Sequence, residues 1–210
     1  MRIETNDLIN ILAQAPPLKR PMRLGWLAAM IALLSALATM AVLGLRPELV
    51  AGQPPASFGM KTLLLVAMAC VSLMELNRAS KPLATPRTRW PMIALAAVAA
   101  LGVAGEWLRV DAHDIIGGFL LPNFPTCLLA VTVYGSLGMV GFTLLIRRYA
   151  PAVAKHCAGL IGLAAAAAGA VGYSLHCPLD SPTFIVVAYG LPMVALWAIG
   201  RLVLPRQLSW

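Results

Sequence analysis

The sequence predicts an all-α integral membrane protein: a bundle of six transmembrane helices with its N and C termini in the cytoplasm. Three observations predict it. First, 60% of the 210 residues are hydrophobic and 11% are charged, against roughly 25% charged in soluble domains, and the mean hydropathy is +0.82. Such an inventory cannot cover a watery surface, but it can cover a lipid-facing one. Second, the apolar residues gather into six runs near 24–45, 58–76, 91–108, 127–146, 157–175 and 183–204. Third, the basic residues collect in alternate connections between those runs.

The chain opens on an arm, residues 1–23, with no cleavable signal expected, because Glu4, Asp7 and Pro16-Pro17 interrupt the first twenty positions. Within it Thr5 or Asn6 can cap a short helix with Asp7 in its first turn. Leu8, Ile11, Leu12 and Ala15 then fall on one face before the two prolines stop it. This amphipathic helix either lies on lipid headgroups or docks its apolar face in a groove of a cytoplasmic partner. At about three turns it needs one of those surfaces to order it.

Residues 24–210 form the transmembrane domain with a short cytoplasmic tail. The runs are read as helices because each is long and continuously apolar, unlike the alternating segments of a barrel, and a helix satisfies its own backbone in lipid. Ala164–Ala168 favours a helix and close packing, and Gly135, Gly138 and Gly141 in the fourth run point to close helix packing. Pro91 suits a first turn, and Pro192 is expected to kink the sixth helix. Arg2, Lys19, Arg20 and Arg23 precede the first run; Arg78, Lys81, Arg87 and Arg89 follow the second; Arg147, Arg148 and Lys155 follow the fourth; Arg201 and Arg206 close the chain. The opposite side has only Arg46, Arg109 and Lys61, the last expected to snorkel to the interface. The positive-inside rule puts the richer side in the cytoplasm. It also accounts for the net charge of +8 as a topology signal, with no direct contact to nucleic acid.

This orientation places Cys127 and Cys177 on the oxidising side, at the start of the fourth helix and in the last outer loop. A pair there is free to form a disulfide, either as a staple between helical hairpins or as a sensing pair. The residues by themselves also allow that the two have no role. Metal binding is the other chemistry available: His113, Cys127, His176 and Cys177 would offer imidazole and thiolate to a soft ion such as zinc or copper if three outer elements converged. Cys70 and Cys157 are expected to be small packing residues. Glu75 and Glu106, near helix ends, are the acids a transport route would use. No nucleotide loop, HExxH or GxSxG motif is present, so no enzyme is expected.

The segment His176-Cys177-Pro178-Leu179-Asp180-Ser181-Pro182-Thr183-Phe184-Ile185, with Tyr189-Gly190, the ending Pro205-Arg206-Gln207-Leu208-Ser209-Trp210 and the opening Thr5–Ala13, resembles the NrsF-type family of six-helix bacterial membrane anti-sigma factors. The resemblance spans essentially the whole chain. It implies a regulator at the bacterial inner membrane that holds an extracytoplasmic-function sigma factor, with the family's two cysteines mapping onto Cys127 and Cys177. Oxidative or heavy-metal stress at those cysteines would release the partner. Leu8, Ile11 and Leu12 of the arm, helped by Arg87 and Arg89, would supply the binding surface, with membrane lipids as the other contact. The rival classes are a membrane thiol oxidoreductase and a metal or small-solute transporter.

Overall fold

The computed structural model of the protein describes residues 24–80, 90–121, 123–147 and 153–208. Every regular element among them is helical: α1 (Leu24–Val42), α2 (Pro47–Val50), α3 (Ala56–Ala79), α4 (Trp90–Trp107), α5 (Ala112–Phe119), α6 (Asn123–Ile146), α7 (Ala154–Tyr173), α8 (Pro182–Val203) and α9 (Pro205–Leu208). Leu8, Ile11, Leu12, Arg87 and Arg89, expected to bind a partner, lie outside the described residues.

Five helices, α1, α3, α6, α7 and α8, are long and apolar enough to cross a membrane. The expected third span, α4, is shorter: its apolar part is Met92–Trp107. Its 18 residues measure roughly 27 Å at about 1.5 Å per residue, just under the ~30 Å of a hydrocarbon core. The α6 helix begins at Asn123, ahead of the expected start, because Pro125 falls in its first turn, where a missing N–H costs little. The α3 helix runs past its apolar segment through Glu75 and Arg78, which pair at 3.1 Å one turn apart. Pro192 is buried inside α8 without ending it.

At the centre is α7, packed against α1, α3, α6 and α8. Lipid tails are as apolar as leucine, so helices in a membrane associate through close packing, and small residues permit it. This explains why the alanines and glycines of α7 are buried almost without interruption from Cys157 to Tyr173. The approach to α8 is close at Gly162, where a side chain would meet the Leu196 carbonyl oxygen, and the approach to α1 is close at Gly172, where one would meet Ser35 and the Ala32 carbonyl. The outward faces carry large apolar side chains such as Leu33, Leu101, Leu137 and Leu202. Cys157 is buried as expected, whereas Cys70 is exposed on α3 and packs against no core.

The core divides along the bundle axis. One cluster holds Leu65, Cys127, Val131, Tyr173, Cys177, Phe184 and Tyr189. The other holds Ala28, Leu76, Ile146, Cys157, Leu204 and Leu208, with Leu24 packed against it. The start of α1 and the end of α9 therefore share one end of the bundle, opposite the two cysteines.

Candidate functional site

The loop between α7 and α8 builds the site. Pro182 occupies the first turn of α8, and the Ser181 hydroxyl caps it by accepting the Phe184 N–H at 3.2 Å. Glu106 of α4 accepts the next free donor, the Thr183 N–H, at 2.8 Å, while the Trp107 indole donates to the Thr183 hydroxyl at 3.1 Å. Glu106 is thus occupied in holding a helix start, and Glu75 in pairing with Arg78, so neither transport candidate is left unpaired.

On its other side the loop is tied to the end of α1. Gly44 adopts φ +83° as that helix stops, a conformation glycine enters without steric cost. Its carbonyl meets His176 Nδ1 at 2.9 Å, and the Arg46 N–H donates to the Leu175 carbonyl at 3.3 Å. The His176 contact requires the tautomer with hydrogen on Nδ1.

Between these ties Cys177 meets Cys127, 50 positions earlier, with the sulfurs 3.3 Å apart. Both are free thiols and fully buried. The Tyr173 hydroxyl lies 3.3 Å from the Cys127 sulfur, and the Tyr189 hydroxyl is buried beside the Cys177 thiol. Phe119, Phe124 and Phe184 close over this core, their ring centroids 5.3–6.0 Å apart. The hydrogen bond from Cys127 holds the Cys177 thiol below the ordinary thiol range, against the opposing effect of burial and with help from the charge of Lys61.

Beside the thiols is a buried ion cluster that the sequence reading missed. Lys61, expected to snorkel outward, ends inside the protein with its side chain fully buried. Its three N–H donors are all used: Asp180 at 2.7 Å, the Cys177 carbonyl at 2.7 Å and the Leu179 carbonyl at 3.3 Å. Asp180 also accepts from Arg46 Nη1 at 2.9 Å and from the Ser57 hydroxyl at 2.8 Å, while Arg46 Nε reaches Glu48 at 2.9 Å. Phe58 lies 5.8 Å from the Arg46 head and 5.9 Å from the Lys61 ammonium. Burial pushes the Asp180 carboxyl up, but the bonds from Lys61, Ser57 and Arg46 outweigh it and hold its pKa below the ordinary carboxylate value. A lysine inside an apolar run demands a buried partner, a signal that flags Lys61 in the sequence but not which acid meets it.

The metal set His113, Cys127, His176 and Cys177 is not assembled. No three His, Cys, Asp or Glu side chains gather as ligands among the described residues. The short α5 helix buries Ile115 and turns His113 to solvent, 3.8 Å from Asp114, while the His176 ring is held at Gly44. Only the two sulfurs of the four come together.

Comparison with known proteins agrees with the resemblance. The family described as negative regulator of sigma F, NrsF, matches residues 8–210. The anti-sigma-F factor NrsF of Caulobacter vibrioides (strain NA1000 / CB15N) is 26% identical over 206 residues, 94% of this chain and 95% of that protein. The probable anti-sigma-F factor NrsF of Azospira oryzae (strain ATCC BAA-33 / DSM 13638 / PS) is 27% identical over 223 residues, 99% of this chain and all of that protein. No solved structure matches the chain. With nearly its whole length matched, the chain belongs to the NrsF family, the negative regulators of sigma F.

Proposed function

We propose that this protein is an inner-membrane anti-sigma factor that holds an extracytoplasmic-function sigma factor on its cytoplasmic side and releases it when Cys127 and Cys177 are oxidised or bind a heavy metal. The observation that carries this reading is the contact of two free, buried thiols, 3.3 Å apart, at the end of the bundle opposite the start of α1. Family membership and the names of the relatives supply the partner class. With α4 counted as a short sixth span, the thiol end is periplasmic. Arg78, Arg147, Lys155, Arg201 and Arg206 then fall on the cytoplasmic side, as the positive-inside rule requires.

Transmission follows from the ties of the thiol loop. Closing a disulfide brings the sulfurs to about 2.05 Å, and the loop that carries Cys177 is bonded to Gly44 and Arg46 beyond the end of α1 through the His176 ring, the Leu175 carbonyl and the Asp180 side chain. The α1 helix leads directly into the arm carrying Leu8, Ile11 and Leu12, the proposed sigma-factor contact. The change counts as allosteric only through such a differential effect on the inner surface. A heavy-metal ion would meet the two sulfurs alone, because His113 and His176 lie elsewhere.

The test is co-purification of the full-length protein with its cognate sigma factor. The unaltered protein retains it, and Leu8→Glu with Leu12→Glu weakens capture at least about tenfold, the loss expected when apolar anchors of an interface are removed. Unchanged capture by that variant removes the arm from the binding surface. Failure of the unaltered protein to bind any sigma factor overturns the reading.

A further inference from the structure

The two sulfurs are positioned by different means. Cys127 is carried by α6, whose backbone fixes where its side chain can go. Cys177 is carried by the connection between Tyr173 and Pro182, and it is followed by Pro178, which has no N–H with which to anchor the turn. What holds that backbone from inside is Lys61, whose ammonium meets the carbonyls on both sides of Pro178, those of Cys177 and Leu179. The ammonium is fixed in turn by Asp180, which Arg46 and Ser57 hold from outside. Any looseness in the approach of the sulfurs therefore lies on the Cys177 side, where the loop is tied to Gly44 and Arg46 on its outer flank and Lys61 bonds the carbonyl of Cys177 itself.

We propose that Lys61 is the positioning residue of the thiol pair: anchored by Asp180, it pins the backbone of Cys177 and Leu179 and so sets how readily Cys177 and Cys127 close into a disulfide. The inference rests on reading the pair as a redox sensor, and it deepens that reading by assigning a residue on a third helix to the redox step. The physical link is effective concentration. The equilibrium between dithiol and disulfide, measured against an external dithiol couple, reports how often one sulfur is presented to the other, and ordering raises that presentation. For a two-electron couple a tenfold change is about 30 mV.

Replacing Lys61 does not strand its counter-ion, because Asp180 keeps its bonds from Arg46 and Ser57. Methionine is unbranched and adapts to the space the lysine stem leaves. The buried carbonyls of Cys177 and Leu179 lose their shared donor, and the loop gains freedom.

The experiment equilibrates the full-length protein in lipid nanodiscs with graded mixtures of reduced and oxidised dithiothreitol, traps free thiols by alkylation, and reads residues 127 and 177 by peptide mass. In the reaction the two cysteine S–H groups give up two protons and two electrons as the S–S bond forms. Oxidised dithiothreitol takes them up and opens to the dithiol. Measured at a pH where both cysteines are protonated, so that the lost ammonium charge acts on no thiolate, Lys61→Met lowers the effective concentration at least about tenfold and raises the midpoint potential by about 30 mV or more, and Lys61→Arg restores it to within about threefold. Lys61→Gln, which keeps two N–H donors but no charge, falls between, and it carries the test if the methionine variant fails to insert. A potential within about twofold of the unaltered protein in either neutral variant overturns the inference, even if stability drops, since a purely structural residue changes stability and leaves the potential alone. A shift that arginine leaves uncorrected also overturns it. If the unaltered pair closes at no potential, the sensor reading fails; if it closes identically with and without Lys61, only this inference fails.

Discussion

Asp180 gathers the Lys61 ammonium, the Arg46 guanidinium and the Ser57 hydroxyl on one carboxylate, and this gives stability a definite dependence on pH. Its pKa in the folded protein lies below the ordinary value of 3.8. The stabilisation it provides is therefore fully present above that value and is lost as the pH falls through the lower, folded-state pKa. Thermal unfolding of the detergent-solubilised protein should show an acid-side loss that begins below about pH 4. Asp180→Asn, which leaves Lys61 and Arg46 without their shared carboxylate, should be about 3 kcal/mol less stable at neutral pH and lack that part of the acid loss. A variant as stable as the unaltered protein would show that the cluster does not hold the loop. At this scale the sequence disclosed the cysteines and not their surroundings. His176-Cys177-Pro178 is rare enough to read as a motif, whereas Lys61, Asp180 and Arg46 lie far apart in the chain and only the fold brings them together. His113 shows the converse: it looked like a ligand by residue type, and a short helix turned it outward.

At the scale of elements, a tight constraint is the crossing of α7 and α8. A side chain at Gly162 of α7 would meet the Leu196 carbonyl oxygen, whereas Gly190 of α8 has nothing within 4 Å of the position a Cβ would take. Gly162→Leu should force the helices apart at a cost of about 3 kcal/mol or more and sharply reduce the folded protein recovered from membranes, while Gly190→Ala should accumulate normally. Equal recovery of the two would mean that close contact between these helices is not what holds the bundle. The long helices were legible because lipid demands continuous apolar runs, a signal independent of the fold. The α2, α5 and α9 helices were not, being short elements in the connections whose structure depends on contacts with the bundle. The shortness of α4 was only partly visible, since its polar end, Glu106-Trp107, serves as the cap that meets α8.

For the whole molecule, the proposed function needs a sensing end and a binding end, and the core clusters separate along the bundle in that sense. The cysteines lie at one end, and the start of α1 and the end of α9 lie at the other. Charge asymmetry led to the expectation of an even number of crossings, which would return the chain to the side it began on; five helices are long and apolar enough to cross, with α4 shorter. What charge could not reveal is that the thiol loop is bonded to the end of α1 through Gly44 and Arg46, the contact through which the proposed signal would have to pass. The most direct measurement captures the sigma factor on nanodiscs holding the full-length protein, before and after oxidation with diamide, which takes up the two electrons and two protons lost by the thiols as the disulfide forms. Oxidation should release the bound sigma factor, with an apparent affinity loss of at least about tenfold, and Cys127→Ser with Cys177→Ser should hold it unchanged under the same treatment. Release that persists in the double-serine variant, or retention by the unaltered protein once its 127–177 disulfide has formed, would contradict the account.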